Sequence, residues 1–186
     1  MEATDNDLVT RVRGGDDEAF RLLVDRHTRP IYRAAYRITG NAADADDIVQ
    51  ETFLRAYRAI ERFDARASFT TWIHRIAINC SLDLIDSRKR RDGRMNPDED
   101  LTAIASTMAS PDRIVHGLEM QRAVASAMER LSGNERTAFV LRHFEGMPLD
   151  EIGQVLGTQL NATKNTVFRA VKKLREQLQP FTGSLI

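Results

Sequence analysis

Apolar side chains recur at intervals of three and four residues through most of this chain, and the recurrence breaks off in one place. That spacing lines side chains along one stripe of an α-helix. Before the break the stripe passes through Ala19, Phe20, Leu23 and Val24, then Ile31, Ala34, Ala35 and Ile38. It continues through Ile48, Val49, Phe53, Ala56, Tyr57 and Ile60, and then Trp72, Ile73, Ile76, Ala77 and Leu84. Between Asp92 and Asp112 it gives way to Pro97, Pro111, acids and small residues, the composition of a tether. Helical spacing resumes at Val115. The predicted fold is all-α: two small helical domains, residues 1–92 and 115–186, joined by a flexible linker over 93–114. Ten glycines, five prolines and 6% aromatic residues in 186 agree with that class.

Capping and turn residues divide the stripes into elements. Asp7 to Gly14 reads as a short helix ended by Gly14-Gly15. Asp16 and Asp17 cap a second helix, and Pro30 falls near its end or at the first turn of the next. Gly40-Asn41 is a turn. A helix follows from about Asp44 to Arg62, then a loop from Asp64 to Ser68, then a helix from about Thr70 to Arg90. In the second domain a helix runs from Val115 to Leu131. Ser132-Gly133-Asn134-Glu135 fits a capping box and opens a helix from Asn134 to Phe144. Gly146-Met147-Pro148 makes a turn, and a short helix from Leu149 to Leu156 stops at Gly157. Asn161 caps a last helix reaching about Leu178.

Several function classes fall away. No run of 18 apolar residues is present, so no membrane-spanning helix is expected. The polar, acidic N-terminus lacks the apolar core of a signal peptide. Cys80 is the only cysteine, which rules out an internal disulfide framework and points to the cytoplasm. The four histidines (His27, His74, His116, His143) are scattered, without HExxH, CxxC or a glycine-rich phosphate loop. No catalytic, metal or cofactor site and no small-molecule substrate is read, and the chain is not expected to be an enzyme. His74 and His143 read as partly buried helix residues, and Cys80 as core.

The formal net charge is zero, from 27 basic and 27 acidic residues, but the charges are segregated. From Ile152 to Arg175 there are five bases and no acid; Arg88-Lys89-Arg90-Arg91 is a second basic block; Asn41 to Glu51 holds four acids and no base. Such a chain can offer basic and acidic faces to different partners, or merely solvate its helices. The pair Leu149–Leu156 and Asn161–Leu178, joined at Gly157 and basic in its second member, has the helix-turn-helix arrangement. Packing through Val167, Ala170, Val171 and Leu174 leaves Lys164, Asn165, Arg169, Lys172 and Lys173 for the major groove and its phosphates. Thr166 and Phe168 read equally as spacer and packing positions.

Two segments carry a specific resemblance. DADDIVQETFLRAYRAIERFD (Asp44–Asp64) with SFTTWIHRIAINCSLDLIDSRKRR (Ser68–Arg91) resembles region 2 of the extracytoplasmic-function (ECF) sigma factors. RLSGNERTAFVLRHFEGMPLDEIGQVLG (Arg130–Gly157) resembles the start of their region 4. The resemblance spans both domains in the family's order. It implies a subunit that directs RNA polymerase core to promoters and assists their melting. It implies contacts with the polymerase clamp from Asp44, Asp47, Gln50, Glu51 and Leu54, with N-capping as a second role for Asp44. It implies a pocket for a flipped minus-ten base around Asp64, Ala65, Arg66, Ser68, Phe69 and Asn79, whose amide can both donate and accept. Arg75, Arg88, Lys89, Arg90 and Arg91 then hold phosphates, and Trp72 is either a stacking platform or, in register with Ile76, core. Minus-thirty-five contacts carry over to Lys164, Asn165, Phe168, Arg169 and Lys172. The family's GTVRSR stands here as Asn161-Ala162-Thr163-Lys164-Asn165-Thr166, which implies a divergent element. The resemblance further implies an anti-sigma factor as partner. A helix-turn-helix regulator acting without core polymerase would account for residues 130–178 alone.

Overall fold

The computed structural model describes residues 3–64, 67–92 and 111–182, and among these every regular element is helical. Capping settles the first boundaries. Thr4 and Asp7 form a capping box that opens α1 (Asp5–Arg13). Asp16 caps α2 (Asp17–Thr39) by accepting from the Ala19 N–H at 3.1 Å. Each such cap contributes about 1 kcal/mol.

Pro30 lies inside α2 and neither ends it nor starts a new helix. A mid-helix proline costs ~3 kcal/mol through a lost N–H and a clash with the preceding turn. The burial of Leu23 and His27 before it, and of Ile31, Ala34, Ala35 and Ile38 after it, offsets that cost by holding both halves of the helix against the core.

Gly40 closes α2, and Asn41, not Asp44, caps α3 (Ala42–Ala59) through a 3.1 Å bond from the Asp44 N–H. The last turn tightens to a 3-10 helix, Ile60–Arg62. The helix α4 (Phe69–Asp92) follows, with the Ser68 hydroxyl accepting from the Thr71 N–H at 3.1 Å. Residues 3–64 and 67–92 thus form a four-helix unit whose core joins Leu8, Leu23, Ile31, Ile48, Phe53, Phe69 and Ile73. Tyr57 does not join the inner face: it is half exposed, its ring against Phe20 and its hydroxyl on Asp17 at 3.0 Å. Trp72 packs on Phe63 and Phe69, as a core residue does.

The second unit contains α5 (Pro111–Glu129), α6 (Gly133–His143), α7 (Leu149–Leu156) and α8 (Leu160–Thr182). The Ser132–Glu135 capping box is present. The helix α8 starts one residue before Asn161, so Asn161 sits in its first turn and is not its cap. Of the linker expected over 93–114, residues 93–110 lie outside the described residues, and 111–114 belong instead to the first turn of α5, which Pro111 opens.

The two units share a seam. Ala34, Ile38 and Ile78 from the first form one buried cluster with Ala138, Val140, Leu141, Met147, Ile152 and Val155 from the second. Polar bonds reinforce it. The Arg136 guanidinium donates to the Ile38 carbonyl at 2.7 Å, satisfying an orphan acceptor in the last turn of α2. The mostly buried Glu145 carboxylate receives Arg37 at 3.4 Å and Arg33 at 3.8 Å. Thr71 donates to Glu151 at 2.5 Å.

Candidate nucleic-acid and polymerase interfaces

The acidic helix α3 buries Ala45, Ile48, Thr52, Phe53 and Ala56, which leaves Asp46, Asp47, Gln50 and Leu54 on its outer side. Leu54 is 52% exposed, an apolar side chain in water beside acids. Glu51 stands on the same side and receives Arg55 one turn on at 2.5 Å. Asp44 separates from this group. It is buried and paired with Arg88, whose Nη2 donates to Oδ1 at 2.6 Å. The bond joins the first turn of α3 to the end of α4, where the negative charge also suits the helix N-terminus. Asp44 is therefore not part of the exposed acidic face, and Arg88 is engaged by a carboxylate.

Along α4, Arg75 and Asn79 are exposed and one turn apart, so they share a stripe. That stripe continues into the exposed Asp83 and Asp86, and only then reaches Arg90. Phe69 is buried, in contact with His27, Phe63 and Trp72, and so supports the loop before α4 from beneath without lining its surface. Ser68 bonds Thr71, which bonds Glu151. Asp64 is exposed; Ala65 and Arg66 lie outside the described residues, as do the side chains of Lys89 and Arg91.

The sequence reading missed what anchors this loop. Arg13 donates to the Ile60 carbonyl at 3.0 and 3.1 Å and to the Phe63 carbonyl at 2.5 Å. It gathers carbonyls at the end of the 3-10 turn, sharing that of Ile60 with the Phe63 N–H. A basic residue in the last turn of α1 was the available signal, but its target is 47 to 50 residues away.

The turn between α7 and α8 depends on two glycines. Gly157 takes φ 65°, a left-handed conformation that closes α7. At Gly153 a Cβ would stand 2.8 Å from the Thr158 carbonyl and 3.0 Å from the Thr163 hydroxyl, so only glycine lets α8 begin this close. The helix α8 then buries Thr163, Thr166, Ala170 and Leu174. Lys164, Asn165, Phe168, Arg169 and Lys172 are exposed, and Phe168, at 67%, belongs to the outer face. Thr166 belongs to the packing. Lys173 is bound to Glu135 on α6, and Lys172 lies 3.9 Å from Glu176.

Of the remaining titratable groups, His74 is buried in the seam and not partly exposed. Its Nδ1 lies 2.8 Å from the Thr70 carbonyl, and burial depresses its pKa. His143 is exposed, its ring against Phe139. Cys80 is buried, and burial raises its thiol pKa. Among the described residues no group of three metal-ligating side chains occurs, and no helix is long and apolar enough to cross a membrane.

Comparison with known proteins agrees with this geometry. Residues 23–91 match the model of Sigma-70 region 2, and residues 121–174 that of Sigma-70, region 4. The chain is 34% identical over 185 residues to the ECF RNA polymerase sigma factor SigW of Bacillus subtilis (strain 168), covering 96% of this chain and 99% of that one. The solved structure of CnrH in complex with the cytosolic domain of CnrY superposes with a TM-score of 0.72 at 29% identity, covering 96% of this chain and 99% of that chain. The fold alone is shared with the sigma factor RpoE from Bartonella quintana, solved in complex with the anti-sigma factor NepR (TM-score 0.69, 21% identity, 88% and 97% covered).

Proposed function

The chain belongs to the ECF family of RNA polymerase sigma factors and directs the polymerase core to promoter DNA; from that premise we propose how its residues divide the task. Residues 1–92 bind the core and the minus-ten element. The outer face of α3 docks on the core through Leu54, with Asp47, Gln50 and Glu51 around it. An exposed apolar anchor supplies affinity, and the acids supply steering toward a basic surface. The loop at 64–68 and the Arg75–Asn79 stripe receive an unstacked base. Capture there must return the few kcal/mol that flipping costs.

Residues 115–186 read the minus-thirty-five element. Lys164 and Asn165 face base edges, Phe168 meets an apolar base edge such as a thymine methyl, Lys172 borders the phosphates, and Arg169 lies beside it, set back toward Glu135. The segment before α5, residues 93–110, tethers the two halves. The chain works in the cytoplasm, beside the polymerase. An anti-sigma factor restrains it, a reading supported by the shared fold of RpoE, which is solved in complex with the anti-sigma factor NepR.

The observation that carries this reading is common to α3, α4 and α8. Each packs its apolar side chains inward, α4 on two sides, and leaves exposed the residues assigned to a partner, Leu54, Asn79 and Lys164 among them. The test is transcription in vitro with purified core polymerase on fragmented DNA from the same cell. New start sites that share two upstream elements are expected. No new transcripts, with specific DNA binding by the protein alone, would make it a regulator independent of the core.

A further inference from the structure

The basic helix α8 does not offer all its charge to solvent. Glu135, on α6, is 5% exposed and faces it. One carboxylate oxygen accepts the Ser132 N–H at 3.0 Å, which completes the capping box. Lys173 donates to both oxygens, at 2.7 and 3.0 Å. The Arg169 Nε lies 3.7 Å from Oε1. Burial works to raise the Glu135 pKa, yet the Lys173 ammonium and the Ser132 N–H hold the carboxyl below the ordinary glutamate range. The ionised form is the one built into the fold.

A capping box requires no charge: glutamine at the same position closes it as well. The charge therefore serves another purpose, and among the described residues its close cations, Lys173 and Arg169, sit one turn apart on α8. Both remain within reach of solvent, with side chains 43% and 61% exposed, so both would meet phosphates if released. Each cation placed on a phosphate adds affinity that is blind to sequence.

We propose that Glu135 is a positioning residue for promoter reading, holding Lys173 and drawing Arg169 away from the phosphates so that α8 docks by its Lys164–Asn165–Phe168 edge. Discrimination is gained by withholding charge from DNA. This rests on α8 being the DNA-reading helix.

The experiment uses the full chain bound to core polymerase. Two duplexes are compared: one carrying a start site mapped by the transcription assay, and one of scrambled sequence. Glu135→Gln keeps the capping box and removes the charge. Its binding should steepen in the plot of log affinity against log salt by about 0.9 for each released cation. Scrambled DNA should gain more than the promoter, so that their ratio falls about 3-fold or more at low salt. Adding Lys173→Met to Glu135→Gln should return the slope by about 0.9. Lys173→Met alone should leave the slope of the wild type.

An unchanged slope in Glu135→Gln overturns the proposal. So does a double variant that stays as steep, since the carboxylate then acts by long-range repulsion. A parallel loss on both duplexes, with a lower melting temperature and no change of slope, assigns Glu135 to stability alone. Lys164→Ala separates the premise: if it leaves promoter binding intact, α8 is not the reading helix, whatever the slopes.

Discussion

The helices α4 and α8 are 24 and 23 residues long, and both carry bases, α4 at its C-terminal end and α8 along its middle. They are buried in different ways. One side of α4 meets the core of the first unit through Phe69, Ile73 and Ala77, and another meets the seam through Ile78, Leu82 and Ile85. Only the narrow stripe of Arg75 and Asn79 is left, and it runs into acids. The helix α8 packs on one side only and presents a broad basic face. A helix enclosed on two sides can hold a few groups rigidly, which suits capture of a single base. A helix held on one side can enter a groove, which suits reading several bases in a row. Charge is handled accordingly: Arg88 at the end of α4 is used up on Asp44, whereas on α8 Lys173 is held by Glu135 and Lys164 stays exposed.

Substitution can break that contrast. The largest effect is expected from Ile78→Asp, which sets a carboxylate in the seam at a fully buried position. A loss of about 3–5 kcal/mol is expected, from the lost apolar contact and an unpaired buried charge. Urea unfolding should then separate into two transitions, one for each unit; a single transition at the original midpoint would refute a seam that couples them. Next come Lys164→Ala and Asn79→Ala as a pair. Lys164→Ala should lower promoter affinity by roughly 1–3 kcal/mol at one base position. Asn79→Ala should leave affinity nearly intact and reduce permanganate reactivity at the minus-ten element. Equal effects of the two on affinity and melting would erase the distinction between the helices. Smaller still is charge reversal at Asp47 and Glu51, expected to weaken core association about 10-fold, or ~1.4 kcal/mol; retention of wild-type binding in a pull-down would remove that face from the interface.

The smallest effect is a pH dependence of the seam. His74 has a lowered pKa because burial disfavours its charged form. The carboxylates of Glu145 and Glu151 oppose the shift, and His27 adds to it. The stability it contributes is full above the ordinary value of 6.5 and is lost as pH falls below it toward the depressed one. Denaturation midpoints should decline over that range, and His74→Gln should flatten the decline. A midpoint that does not fall below pH 6.5 would show that His74 does not load the seam.

Most of this organisation is legible in order along the chain, because the signals are local. The short helix Leu149–Leu156 falls where its residues predict, since Pro148 and Gly157 bracket an apolar face. The Ser132–Glu135 box is a matter of three residues. What escapes is what depends on distant partners. Pro30 looks like a break until the core on either side of it is known. Asp44 looks like part of an acidic face until Arg88, 44 residues on, takes its carboxylate. Glu135 reads as a cap, and its second role needs Lys173, 38 positions away. The seam has no local signature, because Ala34, Ile38 and Ile78 fit the helical period of their own unit as well as any inward residue.

The seam also sets a schedule for synthesis. The bond between Arg136 and Ile38 spans 98 residues, and that between Arg37 and Glu145 spans 108. Local helix contacts within the first unit form early, and such long-range ones form last. After Asp92 has been added, translation takes roughly 3–13 s to reach Val155, at 5–20 residues per second. Throughout that interval the ribosome carries a first unit whose apolar Ala34, Ile38 and Ile78 face has no cover. A nascent chain at this stage has α3 in place and still lacks α8, so whatever meets it first meets one unit without the other.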